Sequence, residues 1–321
     1  MTTSIEIEDL VTLLEGSRGP QRGLRMEKKL TVVFKWYMES KGFIEKGGKT
    51  QERDRAIYNK MGNYFRTRNN VLTWNNHPKR LTREDVRTFR EYLLTRGKNG
   101  KPLANDTVTK YLTKASKAIE EAGIWMDWEL PNPFEKMGRG LPTSPRRRTV
   151  TDDERKRIII ALKEPYRAIF QFMLETGLRI GECLDLTWDR IDGEEKLIWF
   201  SEQDHKSGKM RGGGDVAIVL TKEVIPIILD RSKVVDGPYV FHVDGQRVRY
   251  DRWHKRFEAA RESAGVASVQ ARDARRTFAT KRRNSGVDIE ALSAQLRHAD
   301  VRITQKVYAP ASHHVARRGF E

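Results

Sequence analysis

A break in the middle of the chain limits its fold more than any other feature of the sequence. Residues 137–150 are rich in Gly, Pro, Ser and Arg, and they interrupt the apolar periodicity found on both sides. Asn132-Pro133 lies just before this stretch, and a residue that precedes proline avoids the α-helical conformation. With 321 residues, the chain is long enough for two domains that each have a core. We therefore predict two domains joined by a linker at 137–150.

The part before the break is predicted to be entirely helical. Apolar residues recur at helical spacing in four segments that glycine-rich or charged stretches separate. Thr82 is suited to cap the third helix, and Gly123 is suited to end the fourth. Residues 1–25 are predicted to be an N-terminal arm, with a short helix and a loop as the alternative. Residues 26–136 form the helical domain, with helices at 27–38, 53–68, 82–95 and 106–122.

The part after the break combines helices with a small sheet. Thr151 and Glu154 have the spacing of a capping box, and Gly177 is suited to end the second helix. Two segments rich in β-branched residues are predicted to be antiparallel strands joined by a turn. The fold class is therefore mainly α with a small antiparallel β-sheet, and residues 151–321 form a mixed α/β domain. The strands are predicted at 196–200 and 215–220, and the helices at 152–163, 165–176, 180–186, 221–231, 251–263, 273–284, 288–296 and 301–308.

The chain carries a strong excess of positive charge. Lys and Arg number 61 against 44 Asp and Glu, which gives a formal net charge of +17. Such a charge attracts polyanions, so it favours DNA or RNA binding over the alternative of another kind of soluble basic protein. Arg146, Arg147 and Arg148 in the linker are predicted to lie beside a nucleic-acid backbone, with a plain basic loop as the alternative.

Other features of the sequence bear on the cellular compartment. Cys183 is the only cysteine, so the chain cannot form an internal disulfide, which suits a reducing compartment. No apolar run approaches the ~20 residues that span a bilayer, and the N-terminus lacks the basic and apolar segments of a secretory signal. We predict a cytoplasmic protein that does not associate with a membrane.

Three short segments of the second domain contain residues suited to phosphoryl transfer. Arg179 lies in Thr-Gly-Leu-Arg-Ile-Gly-Glu, Arg272 and Arg275 are spaced to share one helix face, and Tyr308 follows His298 by ten residues. Two arginines can hold a phosphodiester through paired hydrogen bonds, a tyrosine hydroxyl can attack it, and a histidine can move a proton. This chemistry requires no metal ion and no nucleotide, so no cofactor is predicted.

These segments resemble the motifs of the tyrosine recombinases, the family of phage integrases and Xer-type resolvases. The resemblance covers most of residues 53–310. Residues 53–135 are similar to the family's helical core-binding domain, including the Asn-Pro before the linker, and residues 151–310 are similar to its catalytic domain. The resemblance implies a two-domain clamp that closes on opposite faces of duplex DNA.

The same resemblance assigns roles to individual residues. Tyr308 matches the nucleophile, and Lys206 matches the lysine that protonates the leaving 5′ hydroxyl, with Lys209 as the alternative. The arginine of Thr-Gly-Leu-Arg, the arginine that opens Arg-Arg-Thr-Phe-Ala-Thr and the histidine of Leu-Arg-His complete the set, as Arg179, Arg275 and His298. Separately from the resemblance, Glu182 is expected to orient Arg179 or to have a packing role.

Two positions depart from the family pattern. Arg272 stands where a histidine is usual, and an arginine cannot act as a base because its pKa exceeds about 12. Arg272 can still donate hydrogen bonds to a phosphate oxygen, so we retain it as a catalytic residue with a modified acid–base step. Arg297 stands where glycine is usual, and it adds bulk and charge beside His298.

The implied function is site-specific recombination. Attack by Tyr308 would form a 3′-phosphotyrosine link, and two strand exchanges would pass through a Holliday junction. The implied partners are duplex DNA with a specific site and further copies of the chain, as a dimer on each site and a tetramer in the synapse. The implied location is the nucleoid, and the sequence leaves open whether accessory DNA-bending proteins take part.

Three other functions remain open at this point. A type IB topoisomerase would share the arginine, lysine and tyrosine chemistry but would relax DNA without a preferred site. A regulator that binds DNA without cleaving it is favoured by Arg272 alone. A basic RNA-binding protein would bind RNA more tightly than duplex DNA. The single residues also have simpler alternatives: surface arginines, a histidine at a helix end and a packing tyrosine.

Overall fold

The computed structural model describes residues 30–67, 81–96, 100–126, 132–142, 146–201 and 215–308. The described residues are mainly helical and their strands form small antiparallel sheets, which confirms the predicted fold class. The chain divides into two units at residues 145 and 146, inside the segment predicted as the linker. Among the described ranges, no helix is long and apolar enough to cross a membrane.

The first unit consists of helices in its described part. Thr82 caps the fourth of them, as predicted, because its hydroxyl accepts a hydrogen bond of 3.2 Å from the N–H of Asp85. Two predicted boundaries were wrong. The helix predicted at 53–68 begins at Gly48. The helix predicted at 106–122 continues beyond Gly123, because a glycine inside a helix costs only about 1 kcal/mol relative to alanine. The helices are α1 (Leu30–Glu39), α2 (Lys41–Ile44), α3 (Gly48–Thr67), α4 (Arg83–Arg96) and α5 (Asn105–Met126).

Aromatic side chains dominate the core of this unit. Phe34 and Tyr58 are buried, and their ring centroids lie 4.9 Å apart where α1 packs on α3. Phe134 is buried in the same core, so the chain after α5 folds back on the helices. The Asn105 side chain donates a hydrogen bond of 2.8 Å to the carbonyl of Pro142. Residues 132–142 therefore pack on the helical unit, and this segment includes the first part of the predicted linker.

The second unit begins with the predicted capping box, in which Thr151 and Glu154 each bond to the other's backbone. Its sheet contains the two predicted strands and one further short strand. A second pair of strands was not predicted, because each of its members has only two residues. The elements are α6 (Asp152–Ala161), α7 (Tyr166–Thr176), α8 (Ile180–Leu184), β1 (Ile191–Asp192), β2 (Leu197–Phe200), β3 (Val216–Val219), α9 (Ile225–Ser232), β4 (His242–Val243), β5 (Gln246–Arg247), α10 (Tyr250–Ser263), α11 (Ala271–Asn284), α12 (Ile289–Gln295) and α13 (Val301–Tyr308).

Helix α7 lies at the centre of this unit and is buried along most of its length. It packs against α11, α10 and α6, and the inner face of the sheet covers the same core. The sheet order is β1-β2-β3, and Ile198 lies opposite Ile218 with both side chains fully buried. The end of α7 consequently lies beside α11, so that the first two predicted motifs meet.

Candidate active site

Gly177 fixes the corner that leads to the first arginine motif. It ends α7, as predicted, with a left-handed φ of 71°. A Cβ atom at this position would lie 2.5 Å from Phe278 Cδ1 and 3.0 Å from Leu296 Cδ2. Both the backbone conformation and the close packing therefore require glycine here. The chain turns at this point and presents Arg179 in extended conformation at the start of α8.

Glu182 holds the side chain of Arg179. Its Oε1 atom accepts a hydrogen bond of 2.8 Å from Arg179 Nη1, and its Oε2 atom accepts one of 2.7 Å from the Arg179 backbone N–H. Burial alone would raise the pKa of the Glu182 carboxyl, but the charge of Arg297 and the charge and hydrogen bonds of Arg179 bring that pKa below its ordinary value. Glu182 is therefore an ionised carboxylate that orients Arg179, one of the two roles expected from the sequence.

Arg275 connects the other two motifs to this corner. Its Nη1 atom donates a hydrogen bond of 2.9 Å to the carbonyl of Gly177, and its Nη2 atom donates to the carbonyl of Leu296. Arg272 lies one turn earlier on α11, where it is exposed and donates a hydrogen bond of 2.8 Å to the side chain of Gln270. The two arginines lie on one helix, but only Arg275 is tied to both neighbouring motifs.

His298 is tied to the helix that ends at Tyr308. Its Nδ1 atom lies 2.6 Å from the hydroxyl of Thr304, a buried residue of α13. This contact fixes the orientation of the imidazole relative to the helix axis. Tyr308 is the last residue of α13, and its side chain lies outside the described part of the structure.

Arg297 is a buried residue between these motifs. Its Nη2 atom lies 2.6 Å from Glu182 Oε1, its side chain is fully buried, and its guanidinium carbon lies 3.7 Å from the centroid of the Phe200 ring. The backbone of Arg297 is left-handed, with φ at 51°. The sequence indicated added charge beside His298, but it gave no sign that this charge is buried against Glu182.

The structure thus brings together the segments of three of the six predicted catalytic residues, Arg179, Arg275 and His298, because Arg275 bonds to the carbonyls of Gly177 and Leu296. Arg272 lies one turn from Arg275 on α11 but is exposed and bonds to Gln270. Lys206 and the alternative Lys209 lie outside the described residues. The roles of all six residues therefore stay predictions.

The three linker arginines differ in their surroundings. Arg146 forms two hydrogen bonds to the buried carboxylate of Asp273, of 2.8 Å from Nε and 2.6 Å from Nη2. Arg148 forms an ion pair with Glu154. Arg147 is exposed. Two of the three predicted DNA-contacting side chains are therefore used to attach the start of the second unit to its own helices.

Sequence reasoning missed two residues that support the site. Asp273 receives Arg146 and also accepts a hydrogen bond of 2.8 Å from the N–H of Gln270, at the start of α11. Its position three residues after Gln270 is a signal that could have indicated helix capping. Thr304 carries no comparable signal, because its contact with His298 depends on how α13 packs.

Comparison with known sequences identifies the family. The model of the phage integrase family matches residues 148–314. The integrase of Salmonella phage P22 is 28% identical over 214 residues, which cover 61% of this chain and 54% of that protein. The tyrosine recombinase XerC of Alcanivorax borkumensis is 23% identical, over 70% of this chain and 74% of that protein. The chain thus spans about half the length of the phage P22 relative.

Solved structures have the same fold. The integrase of transposon Tn1549, in complex with circular intermediate DNA, superimposes with a TM-score of 0.69 at 17% identity and covers 91% of this chain and 99% of its own. A lambda integrase dimer bound to a COC′ core site gives a TM-score of 0.68 at 14% identity, with coverage of 89% and 97%. A lambda integrase tetramer bound to a Holliday junction gives a TM-score of 0.68 at 14% identity, and the match covers 94% of this chain and 84% of that chain. Because the family model matches residues 148–314, more than half of the 321 residues, the chain belongs to the phage integrase family.

Proposed function

We propose that this protein is a site-specific DNA recombinase that cleaves and rejoins duplex DNA through a 3′-phosphotyrosine. The observation that carries the proposal is the meeting of three distant motifs, since Arg275 bonds to the carbonyls of both Gly177 and Leu296. Arginine side chains fixed in this way are suited to the charge of a phosphoryl transition state. Family membership supports the same conclusion.

The reaction begins when the Tyr308 hydroxyl attacks the scissile phosphorus. The P–O bond to the 5′ oxygen breaks, a P–O bond to Tyr308 forms, and Lys206 protonates the departing 5′ oxygen. The proton of Tyr308 goes to a base, and Arg272 cannot be that base because an arginine guanidinium stays protonated in proteins. His298 can accept the proton at Nε2 in the tautomer whose Nδ1 donates to Thr304. The new 5′ hydroxyl then attacks the phosphotyrosine of a partner strand.

The proposed partners are duplex DNA with a recombination site and further copies of this chain. The net charge of +17 supports binding to a polyanion. The DNA-bound lambda integrase dimer and tetramer, which share the fold, support a dimer on each site and a tetramer in the synapse. The proposed location is the cytoplasm, on the nucleoid. The proposal also includes two domains, at residues 26–136 and 151–321, on either side of a basic linker.

Covalent trapping on a library of nicked duplexes tests the proposal. A nick on the 3′ side of the cleaved phosphate releases the short 5′-hydroxyl fragment, so that the protein–DNA adduct cannot reverse. We expect an adduct on a denaturing gel with the wild-type protein and none with Tyr308→Phe. Tyr250→Phe is a matched control, because Tyr250 is a half-exposed tyrosine on α10 and is expected to retain the adduct.

The result also distinguishes the alternative functions. Tight duplex binding without an adduct would overturn the proposal in favour of a regulator that does not cleave DNA. An adduct spread evenly over the library, together with relaxation of supercoiled DNA, would instead indicate a topoisomerase. Stronger binding to RNA than to duplex DNA would exclude both DNA functions.

A further inference from the structure

Arg297 combines two features that are unfavourable for an arginine. Its backbone has a left-handed φ of 51°, a conformation that favours glycine. Its side chain is fully buried, and burial of a charge is unfavourable unless the charge is paired. The resemblance noted above places a glycine at this position in the family, and the left-handed backbone explains that glycine. The side chain of Arg297 must therefore make contacts that offset both unfavourable features.

The contacts of Arg297 lead to the first catalytic arginine. Glu182 Oε1 forms an ion pair with Arg297 Nη2 at 2.6 Å and accepts a hydrogen bond of 2.8 Å from Arg179 Nη1, so the two arginines share one oxygen atom. On its other side, the guanidinium of Arg297 lies 3.7 Å from the centre of the Phe200 ring, a cation–π contact with the last residue of β2. The two contact residues of Arg297 are themselves largely shielded from solvent, since Glu182 keeps 12% of its side chain exposed and Phe200 is 2% exposed.

The charges of this group explain what Arg297 contributes. Arg179 and Arg297 carry two positive charges and Glu182 carries one negative charge, so the group has one net positive charge. Without Arg297, the carboxylate of Glu182 would be balanced by Arg179 alone, and the net charge would be zero. Arg179 would then be held more tightly by Glu182 and would attract an anionic phosphate less.

We propose that Arg297 is a positioning residue that balances the charge of Glu182 and thereby keeps the net charge of the group that holds Arg179 positive toward the scissile phosphate. This inference rests on the proposed recombinase function. It assigns Arg297 no contact with DNA, and it explains why this chain has a charged residue at a backbone position suited to glycine. A purely structural role for Arg297 is the competing explanation.

The test compares two DNA substrates in single-turnover cleavage. The duplex recovered by trapping is prepared with a normal phosphate at the cleaved linkage and with a methylphosphonate, which has the same shape and no negative charge. We expect Arg297→Met and Arg297→Gly to cleave the phosphate roughly 10- to 100-fold more slowly than wild type. On the methylphosphonate, which needs no positive charge, both variants are expected to approach the wild-type rate, as is Arg179→Met.

Two further variants separate positioning from packing. Arg297→Lys keeps the charge and is expected to recover most of the rate on the phosphate. Arg231→Met removes another buried arginine of the same unit, one that donates to the carbonyl of Val240. Arg231→Met is expected to change the cleavage rates of the phosphate and the methylphosphonate by the same factor. Arg297→Gly keeps the test valid if Arg297→Met folds poorly, because glycine relieves the left-handed backbone.

The outcomes are distinct. A wild-type rate for Arg297→Gly on the phosphate, or equal losses on both substrates for the Arg297 variants, would overturn the role of Arg297 while recombination by the wild type stands. Absence of any wild-type adduct would instead refute the recombinase proposal, and the inference would fall with it. A cleavage rate of the Arg297→Met and Arg297→Gly variants that is lowered only on the phosphate substrate would support the role of Arg297.

Discussion

Each unit of this protein contains a largely buried carboxylate that holds two basic side chains, and the two arrangements differ in the surroundings of those side chains. In the helical unit, Asp54 of α3 pairs with Lys46, at 3.2 Å, and with Lys114 of α5. In the catalytic unit, Glu182 pairs with Arg179 and Arg297. The local electrostatics are similar: one acid is shielded from water and two cations converge on it.

The difference lies in what the cations do beyond the pair. Lys46 and Lys114 keep 24% and 31% of their side chains exposed and connect helices, and Lys46 also donates a hydrogen bond of 2.9 Å to Tyr37. Arg297 is fully buried, and Arg179 is a predicted catalytic residue whose planar guanidinium suits a phosphate. The comparison leads to the prediction that the ion pairs of Asp54 support stability, whereas those of Glu182 also support cleavage.

The largest effect is expected from Glu182→Gln. Loss of the carboxylate leaves Arg297 buried without its charge partner, which should lower the free energy of unfolding by about 3 kcal/mol. Cleavage by the folded protein should slow roughly 100-fold because Arg179 loses its fixed geometry. Since this substitution raises the local positive charge, a slower cleavage rate would result from the altered position of Arg179 and not from a loss of positive charge. Urea unfolding and single-turnover trapping measure the two effects; wild-type cleavage by the folded variant would refute the role of Glu182.

Asp54→Asn is the matched substitution in the helical unit. The expected loss of stability is about 2 kcal/mol, smaller than for Glu182 because both lysines can extend toward water. Amide hydrogen exchange should accelerate in α1, α3 and α5 and stay unchanged in α7. The cleavage rate of the folded protein should equal that of the wild type. A slower rate without faster exchange would contradict the division of roles between the two carboxylates.

Much of this fold could be predicted because its elements have strong local signals. The helices of the second unit follow amphipathic spacing and capping residues such as Thr151, and the left-handed end of α7 follows from Gly177. The pair β4 and β5 carries no such signal, because two residues are too few for an alternating pattern. The sequence predicts a helix end at Gly123, but α5 continues to Met126, because a glycine inside a helix costs only about 1 kcal/mol relative to alanine.

The candidate site was predicted as a set of residues but not as a network. The residue types in these segments suit phosphoryl transfer, and the resemblance to tyrosine recombinases singled out Arg179, Arg275 and His298. The burial of Arg297 against Glu182 depends on how segments 115 positions apart in the sequence pack. The pairing of Arg146 with Asp273 joins segments 127 positions apart. Contacts at such separations leave no periodic pattern in the sequence.

The smallest effect is expected from the exposed linker residue Arg147, which extends the comparison from buried to exposed charge. If Arg147 contacts a phosphate, Arg147→Ala should reduce the slope of log affinity against log salt concentration by about 0.9 on duplex DNA. Arg148→Ala is the control, because Arg148 is paired with Glu154 and should leave that slope unchanged. Binding to a duplex of unrelated sequence, measured by fluorescence anisotropy over a range of salt concentrations, gives both slopes. Equal slopes for the two variants would show that exposure does not decide which linker arginine binds the backbone.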